Sequence, residues 1–256
     1  MKVKLLLTCR NPELVEMTSL VFRTIRVGFP SAKIVAELNG RHHPLIEEHL
    51  ARAAKSADAE MVVIERARHD AWVHKQVWSG DGPTVICDTD MVFYDRMDTF
   101  EFEEPWAGMR IPTYFEPFTR TISVERLHTC LLFIRPDEVR DKLLRYDARF
   151  MKREFFPRSM DYIGQRLVPV GSDVLFYDTG AMLYHSIGGS WFDAQHKDRF
   201  THLNAGTWSD ILNMPALTET HKLAIESPES VRGLWREHER FYAENLRCFS
   251  VCQTPP

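Results

Sequence analysis

The chain has 256 residues, 44% of them apolar and 27% charged, with a formal net charge of −4. That length supports one sizeable core, that composition excludes a disordered or fibrous chain, and that charge excludes whole-chain attraction to nucleic acid or anionic lipid. The cysteines Cys9, Cys87, Cys130, Cys248 and Cys252 are odd in number and scattered, which predicts free thiols in a reducing, cytoplasmic setting.

Met1-Lys2-Val3-Lys4-Leu5-Leu6-Leu7 is too short for a signal-peptide core and reads as the start of a strand, Val3 to Thr8. No run approaches the ~18 apolar residues of a membrane span. Asn11-Pro12-Glu13 opens a helix, with Asn as cap and Pro at the first position. Leu14, Met17, Leu20, Val21, Thr24 and Ile25 form its apolar stripe. Lys33 to Leu38 is a second strand, Pro44 to Ala57 a helix, Met61 to Ile64 a third strand and Ala71 to Trp78 a helix. After the turn Gly80-Asp81-Gly82-Pro83, Thr84 to Cys87 is a fourth strand. This alternation predicts an α/β fold with a mostly parallel central sheet and helices on both faces.

The second half is less regular. Trp106 to Ile111 and Leu131 to Ile134 read as strands, flanking a loop from Pro112 to Ser123 that is rich in Pro, Thr and aromatics. Asp137 to Arg149 reads as a helix, Val174 to Tyr177 and Ala181 to Tyr184 as short strands. A last helix runs from about Pro228 to Asn245, with Val231, Leu234, Trp235, His238, Phe241 and Tyr242 on one face. Cys248 and Cys252 are spaced as a metal pair but have no second Cys/His pair beside them, and read as tail residues.

The most informative stretch is Thr84-Val85-Ile86-Cys87-Asp88-Thr89-Asp90-Met91-Val92-Phe93-Tyr94. Carboxylates at the end of a buried strand are costly unless something pairs with them. In an open α/β sheet, ligands also bind at the carboxyl ends of strands. Two apart in extended backbone, Asp88 and Asp90 would point the same way and address one cation; a strand-end cap or a solvated turn would also account for them.

Ile86-Cys87-Asp88-Thr89-Asp90-Met91-Val92-Phe93 resembles the D-x-D motif of GT-A-type glycosyltransferases. His128-Thr129-Cys130-Leu131-Leu132-Phe133-Ile134-Arg135-Pro136 resembles the later strand of the glycogenin-like and galactosyltransferase-like branch, with His128 and Cys130 standing where that branch has Asn and Gly. Gly171-Ser172-Asp173-Val174-Leu175-Phe176 resembles its D-Q-D-x-L stretch, of which the last Asp is kept. Phe200-Thr201-His202-Leu203-Asn204-Ala205-Gly206-Thr207-Trp208 resembles its late H-x-x-G-x-x-x-W stretch.

The resemblance implies one GT-A-like domain over 1–256: a nucleotide-sugar-binding half (1–100), an acceptor-side half completing a metal site (101–215) and a helical tail (216–256). It implies Mn²⁺ or Mg²⁺ as cofactor and a nucleotide-diphosphate sugar, uridine favoured, as donor. Asp90 and His202 become metal ligands, with His185 as the fallback imidazole, and Asp88 a ligand of the metal or the ribose. Thr8, Cys9, Arg10 and Asn11 would line the nucleotide pocket ahead of a helix N-terminus, although a helix cap explains Asn11 equally. Glu37 or Asn39 would meet base or ribose, and Thr89 and Thr129 would lie along the donor. His74 and Lys75 stand where the family places a basic donor contact, or on a solvated helix face. Asp173 would act at the transfer centre, deprotonating the acceptor or positioning the sugar, unless it only caps the strand that follows. The acceptor stays open: a glycan, a protein, a small molecule or nucleic acid. The basic segment from Arg140 to Arg158 would suit an acidic acceptor, or forms an ordinary amphipathic helix and loop. Three other readings remain: a haloacid-dehalogenase-type phosphatase, whose motif also fits Asp88-Thr89-Asp90-Met91-Val92; a sugar nucleotidyltransferase; and a catalytically silent nucleotide-sugar-binding protein.

Overall fold

The apolar strand segments pair much as their alternation with helices requires. The computed structural model describes the chain apart from residues 10–11, 117–119, 151–159, 204–218 and 233–256. Its strands are β1 (Lys2–Leu7), β2 (Lys33–Asn39), β3 (Ala59–Ile64), β4 (Thr84–Cys87), β5 (Met91–Phe93), β6 (Trp106–Ile111), β7 (Tyr114–Glu116), β8 (Thr121–Ser123), β9 (Arg126–Ile134), β10 (Arg166–Val170), β11 (Asp173–Tyr177), β12 (Ser190–Trp191) and β13 (Phe200–His202).

Seven of these form the central sheet in the order β12-β6-β9-β4-β1-β2-β3. All neighbouring pairs are parallel except the two made by β9, which runs antiparallel between β4 and β6. Side chains alternate across the pleat. Val3, Leu5, Leu7, Val85 and Cys87 face one cluster with the helices Val21–Gly28 and Pro44–Ser56. Leu6, Ile86, Leu132 and Ile134 face the other, with the helices His69–Ser79, Pro136–Phe150 and Ala181–Ile187. Both faces of the sheet are therefore covered.

Several expected elements are redrawn. The first helix is broken into Pro12–Leu14, Val15–Thr18 and Val21–Gly28, yet all six stripe residues are buried as expected. The segment read as a loop from Pro112 to Ser123 contains β7 and β8, which pair with each other; its Tyr, Phe, Thr and Ile favour strand where a partner is within reach. Ala181 to Tyr184 is the start of a helix, not a strand. Gly180 turns the chain at φ +82°, and Leu183 and Ile187, four apart, bury one helical face. A short apolar run cannot by itself distinguish those two outcomes. Of the last expected helix, the described part is a 3₁₀ turn, Pro228–Val231, and the rest lies outside the described residues, as do Cys248 and Cys252.

A small antiparallel ladder, unanticipated from the pattern, pairs β5 with β13: Phe93 with Phe200, Val92 with Thr201 and Met91 with His202. It is anchored from below. The Thr24 hydroxyl accepts the Phe93 N–H at 2.9 Å, and the Phe93 ring packs edge-on against Phe29. A Cβ on Gly28 would stand 2.8 Å from the Phe93 ring. Gly28→Ala is therefore expected to lower stability by about 1–3 kcal/mol through overpacking, read as a shift in the midpoint of chemical denaturation.

Candidate functional site

The sheet order reverses at β1. From β1 the chain adds β2 and β3 on one side, then crosses to place β4 on the other. Such a switch point opens a crevice beyond the carboxyl ends of the two strands. Asp88 leaves β4 at that crevice. Its N–H donates to the Cys130 carbonyl at 2.8 Å, carrying the β4–β9 pairing one residue past the strand. Thr89 and Asp90 then turn, and the Thr89 carbonyl accepts the Val21 N–H at 3.1 Å. The two carboxylates thus converge through a turn rather than through the pleat of an extended strand.

The β5–β13 ladder supplies the third group. Beyond it, the Leu203 N–H donates to the Asp90 carbonyl at 3.2 Å, so His202 is held beside the turn. His202 Nε2 lies 3.3 Å from Asp90 Oδ1 and 3.8 Å from Asp88 Oδ2. One ligand atom from each of Asp88, Asp90 and His202 lies within 4.8 Å of the other two. Asp90 and His202 are buried, while Asp88 keeps 19% of its side-chain surface exposed and so opens the cluster outward.

Electrostatics follow from this crowding. Burial, and then the neighbouring Asp90, push the Asp88 carboxyl above the usual carboxylate range, against the pull of His69 and His202. Burial alone would favour a neutral His202; Asp90 and then Cys130 outweigh it and hold the imidazole well above its ordinary range. At His128 burial is the larger cause, reinforced by His202 and Arg126, and the ring is held well below its ordinary range, hence neutral.

Other expected residues fare differently. Thr8 is half-buried at the exit of β1, and Thr129 is half-buried on β9, next to the cluster's His128. Cys9 is buried in the core and presents no side chain to a ligand. Arg10 and Asn11 lie outside the described residues, as do Asn204 to Trp208. Glu37 does not face a nucleotide: one oxygen accepts from Lys4 Nζ at 2.6 Å and the other from the Trp72 indole at 2.7 Å, because β2 turns this side chain toward the helix carrying Trp72. Asn39 clamps the β3-to-helix connection, bonding both the N–H and the carbonyl of Ala67. Lys75 is exposed on its helix, and His74 stacks on Trp78 with ring centroids 5.6 Å apart.

His185 is exposed and bonds the Glu125 carbonyl at 3.0 Å, so it is not the imidazole of the cluster. Asp173 is exposed at the tip of the β10–β11 hairpin, paired with Val170 across it, and is not part of the cluster. In the basic segment, Arg140 is engaged by the carbonyls of Val77 and Trp78, closing one helix end on another; Arg145 is exposed, and the rest lies largely outside the described side chains.

Two cluster members escaped the sequence reading. His128 and Cys130 on β9 form a second three-residue group with His202, again within 4.8 Å of one another. The His128 and His202 rings lie 5.1 Å apart. The sequence signal was present: these were the positions that departed from the resembled strand.

No protein-family model matches the chain, and no curated protein matches it. Among solved structures, the glycosyltransferase GlyE of Streptococcus pneumoniae TIGR4 is similar at 10% identity and a TM-score of 0.42, over 76% of this chain and 45% of that one. The galactosyltransferase LgtC, in complex with donor and acceptor sugar analogues, is similar at 8% identity and a TM-score of 0.43, over 87% of this chain and 99% of that one. A 4-diphosphocytidyl-2C-methyl-D-erythritol synthase of Anaerococcus prevotii DSM 20548 is similar at 7% identity and a TM-score of 0.43, over 83% and 92%. The chain thus spans less than half of GlyE. At these TM-scores the likenesses identify no family.

A cation entering the carboxylate cluster competes with protons. Asp88 and His202 both hold protons more tightly than such groups ordinarily do. Affinity for Mn²⁺ is therefore expected to rise from about pH 6 to about pH 8, with proton release on binding. Calorimetry in buffers of different ionisation enthalpy measures both.

Proposed function

We propose that the chain is a glycosyltransferase that moves a sugar from a nucleotide-diphosphate sugar, with uridine diphosphate as its carrier, onto an acceptor hydroxyl. The observation that carries the proposal is the convergence of Asp88, Asp90 and His202 beyond the carboxyl end of β4, beside the point where strand order reverses. Two carboxylates and one imidazole are a donor set that fits Mn²⁺ or Mg²⁺ with positions left for phosphate oxygens. Bound there, such a cation would supply Lewis acidity and offset the charge on the departing diphosphate.

The chain's own residues do the rest. Asp88 and Asp90 concentrate negative charge at the end of β4, where a free pyrophosphate would be repelled; the site favours diphosphate only together with a cation. The Asp90–His202 contact holds both ligands before any donor arrives, so little reorganisation remains to be done. Thr8 at the end of β1 and Thr129 on β9, both half-buried, would orient the donor. The open side at Asp88 is the route for donor and acceptor.

The test is a panel of nucleotide sugars with and without Mn²⁺, read by thermal shift and by slow hydrolysis of the donor. A uridine-diphosphate sugar is expected to stabilise the protein only with the metal. Asp90→Asn is expected to lower metal-dependent turnover by about 100-fold or more, the scale on which loss of one electrostatic stabiliser acts. Donor binding indifferent to chelator and to that substitution would refute the proposal. Release of inorganic phosphate from simple phosphoesters would favour the phosphatase reading instead.

A further inference from the structure

His202 is shared with a second set: Cys130 hydrogen-bonds it, and the His128 ring lies 5.1 Å from its own. One sulfur and two ring nitrogens lie within 4.8 Å of one another. In a tetrahedral zinc site with Zn–S about 2.3 Å and Zn–N about 2.0–2.1 Å, neighbouring ligand atoms are separated by roughly 3.5 Å. The three groups therefore need to close by only about 1 Å to share an ion, within the reach of side-chain rotation.

We propose that His128, Cys130 and His202 form a zinc site that overlaps the carboxylate set through His202. Thiolate with two imidazoles is a soft donor set: it suits zinc and discriminates against Mg²⁺ and Mn²⁺, which favour oxygen. Three protein ligands leave a fourth position for water or for one of the nearby carboxylates. His128 and Cys130 stand two apart on β9, where its pairing with β6 shifts register between Gly108 and Met109. His128 Nδ1 accepts the Cys130 backbone N–H at 3.1 Å. Coordination by His128 gives up that bond, a small loss against three coordinate bonds. Binding is a proton exchange with no redox step: zinc enters, the Cys130 thiol and the protonated fraction of His202 give their protons to solvent, and both imidazoles bind neutral.

A single imidazole serves one ion. Zinc on the soft side therefore takes His202 from the hard cation, and the two metals exclude one another. The zinc site stands on geometry alone; only its consequence for sugar transfer rests on the function proposed above.

Metal-stripped full-length protein is titrated with Zn²⁺ against a chromophoric chelator, and separately with Co²⁺. The expected result is one zinc per chain and an intense near-ultraviolet sulfur-to-cobalt charge-transfer band. Cys130→Ser should weaken zinc by more than about 100-fold, beyond the loss of an outer contact, and change Mn²⁺ affinity by less than about 10-fold. Asp88→Asn should do the reverse. Circular dichroism verifies that each variant is folded, and the cobalt spectrum of the unaltered chain decides the matter if Cys130→Ser is not. Absence of zinc binding, or cobalt bound without the sulfur band, would overturn the site. Full Mn²⁺ occupancy alongside zinc would overturn the exclusion. Zinc bound with no Mn²⁺ site detectable would leave the soft site standing and defeat the hard-metal function.

Discussion

The architecture depends on a charge problem solved at long sequence range. Asp90 is almost fully buried, and a buried carboxylate is tolerable only with a partner. Its partner is His202, delivered by a strand from the far end of the described chain. The β5–β13 ladder exists to hold these two in register, and the hydrogen bond from Leu203 to the Asp90 carbonyl locks it beyond the last pair. That ladder is tied in turn to the helix Val21–Gly28 through Thr24 and Phe93, and closed from outside where the Tyr94 and Thr201 hydroxyls donate to the carbonyls of Pro228 and Val231. The cluster is thus braced by the core on one side and by a late turn of the chain on the other.

Strand direction decides what surrounds it. Because β9 runs antiparallel between parallel neighbours, its interior residues, not its end, pass beside the carboxyl end of β4. His128 and Cys130 are therefore brought to the aspartate turn from a strand whose apolar half, Leu131 to Ile134, is pure core. One strand serves packing along one half and brings ligand-type side chains to the aspartate turn along the other.

The result is one imidazole shared by two sets of ligand-type groups, the carboxylates of Asp88 and Asp90 and the thiol and ring of Cys130 and His128. Hard and soft cations rank these sets oppositely.

Much of this was legible in the residues themselves. The three strand–helix alternations that lead to β4, the burial of the stripe Leu14 to Ile25 and the need for partners at Asp88 and Asp90 follow from periodicity and from the cost of stranded charge, both local properties. Asp88, Asp90 and His202 were singled out together, and the fold does bring them together. What the residues left undecided were matters of partner and direction. Ala181 to Tyr184 could be strand or helix until Gly180 set its entry. Glu37 could have met a ligand until Trp72 and Lys4 took both its oxygens. His128 and Cys130 looked like departures from a pattern until the antiparallel run of β9 put them against His202. Local sequence sets which groups must be buried or satisfied; only the tertiary fold decides which distant group does the satisfying, because that choice is made by strand order and register rather than by any residue's own chemistry.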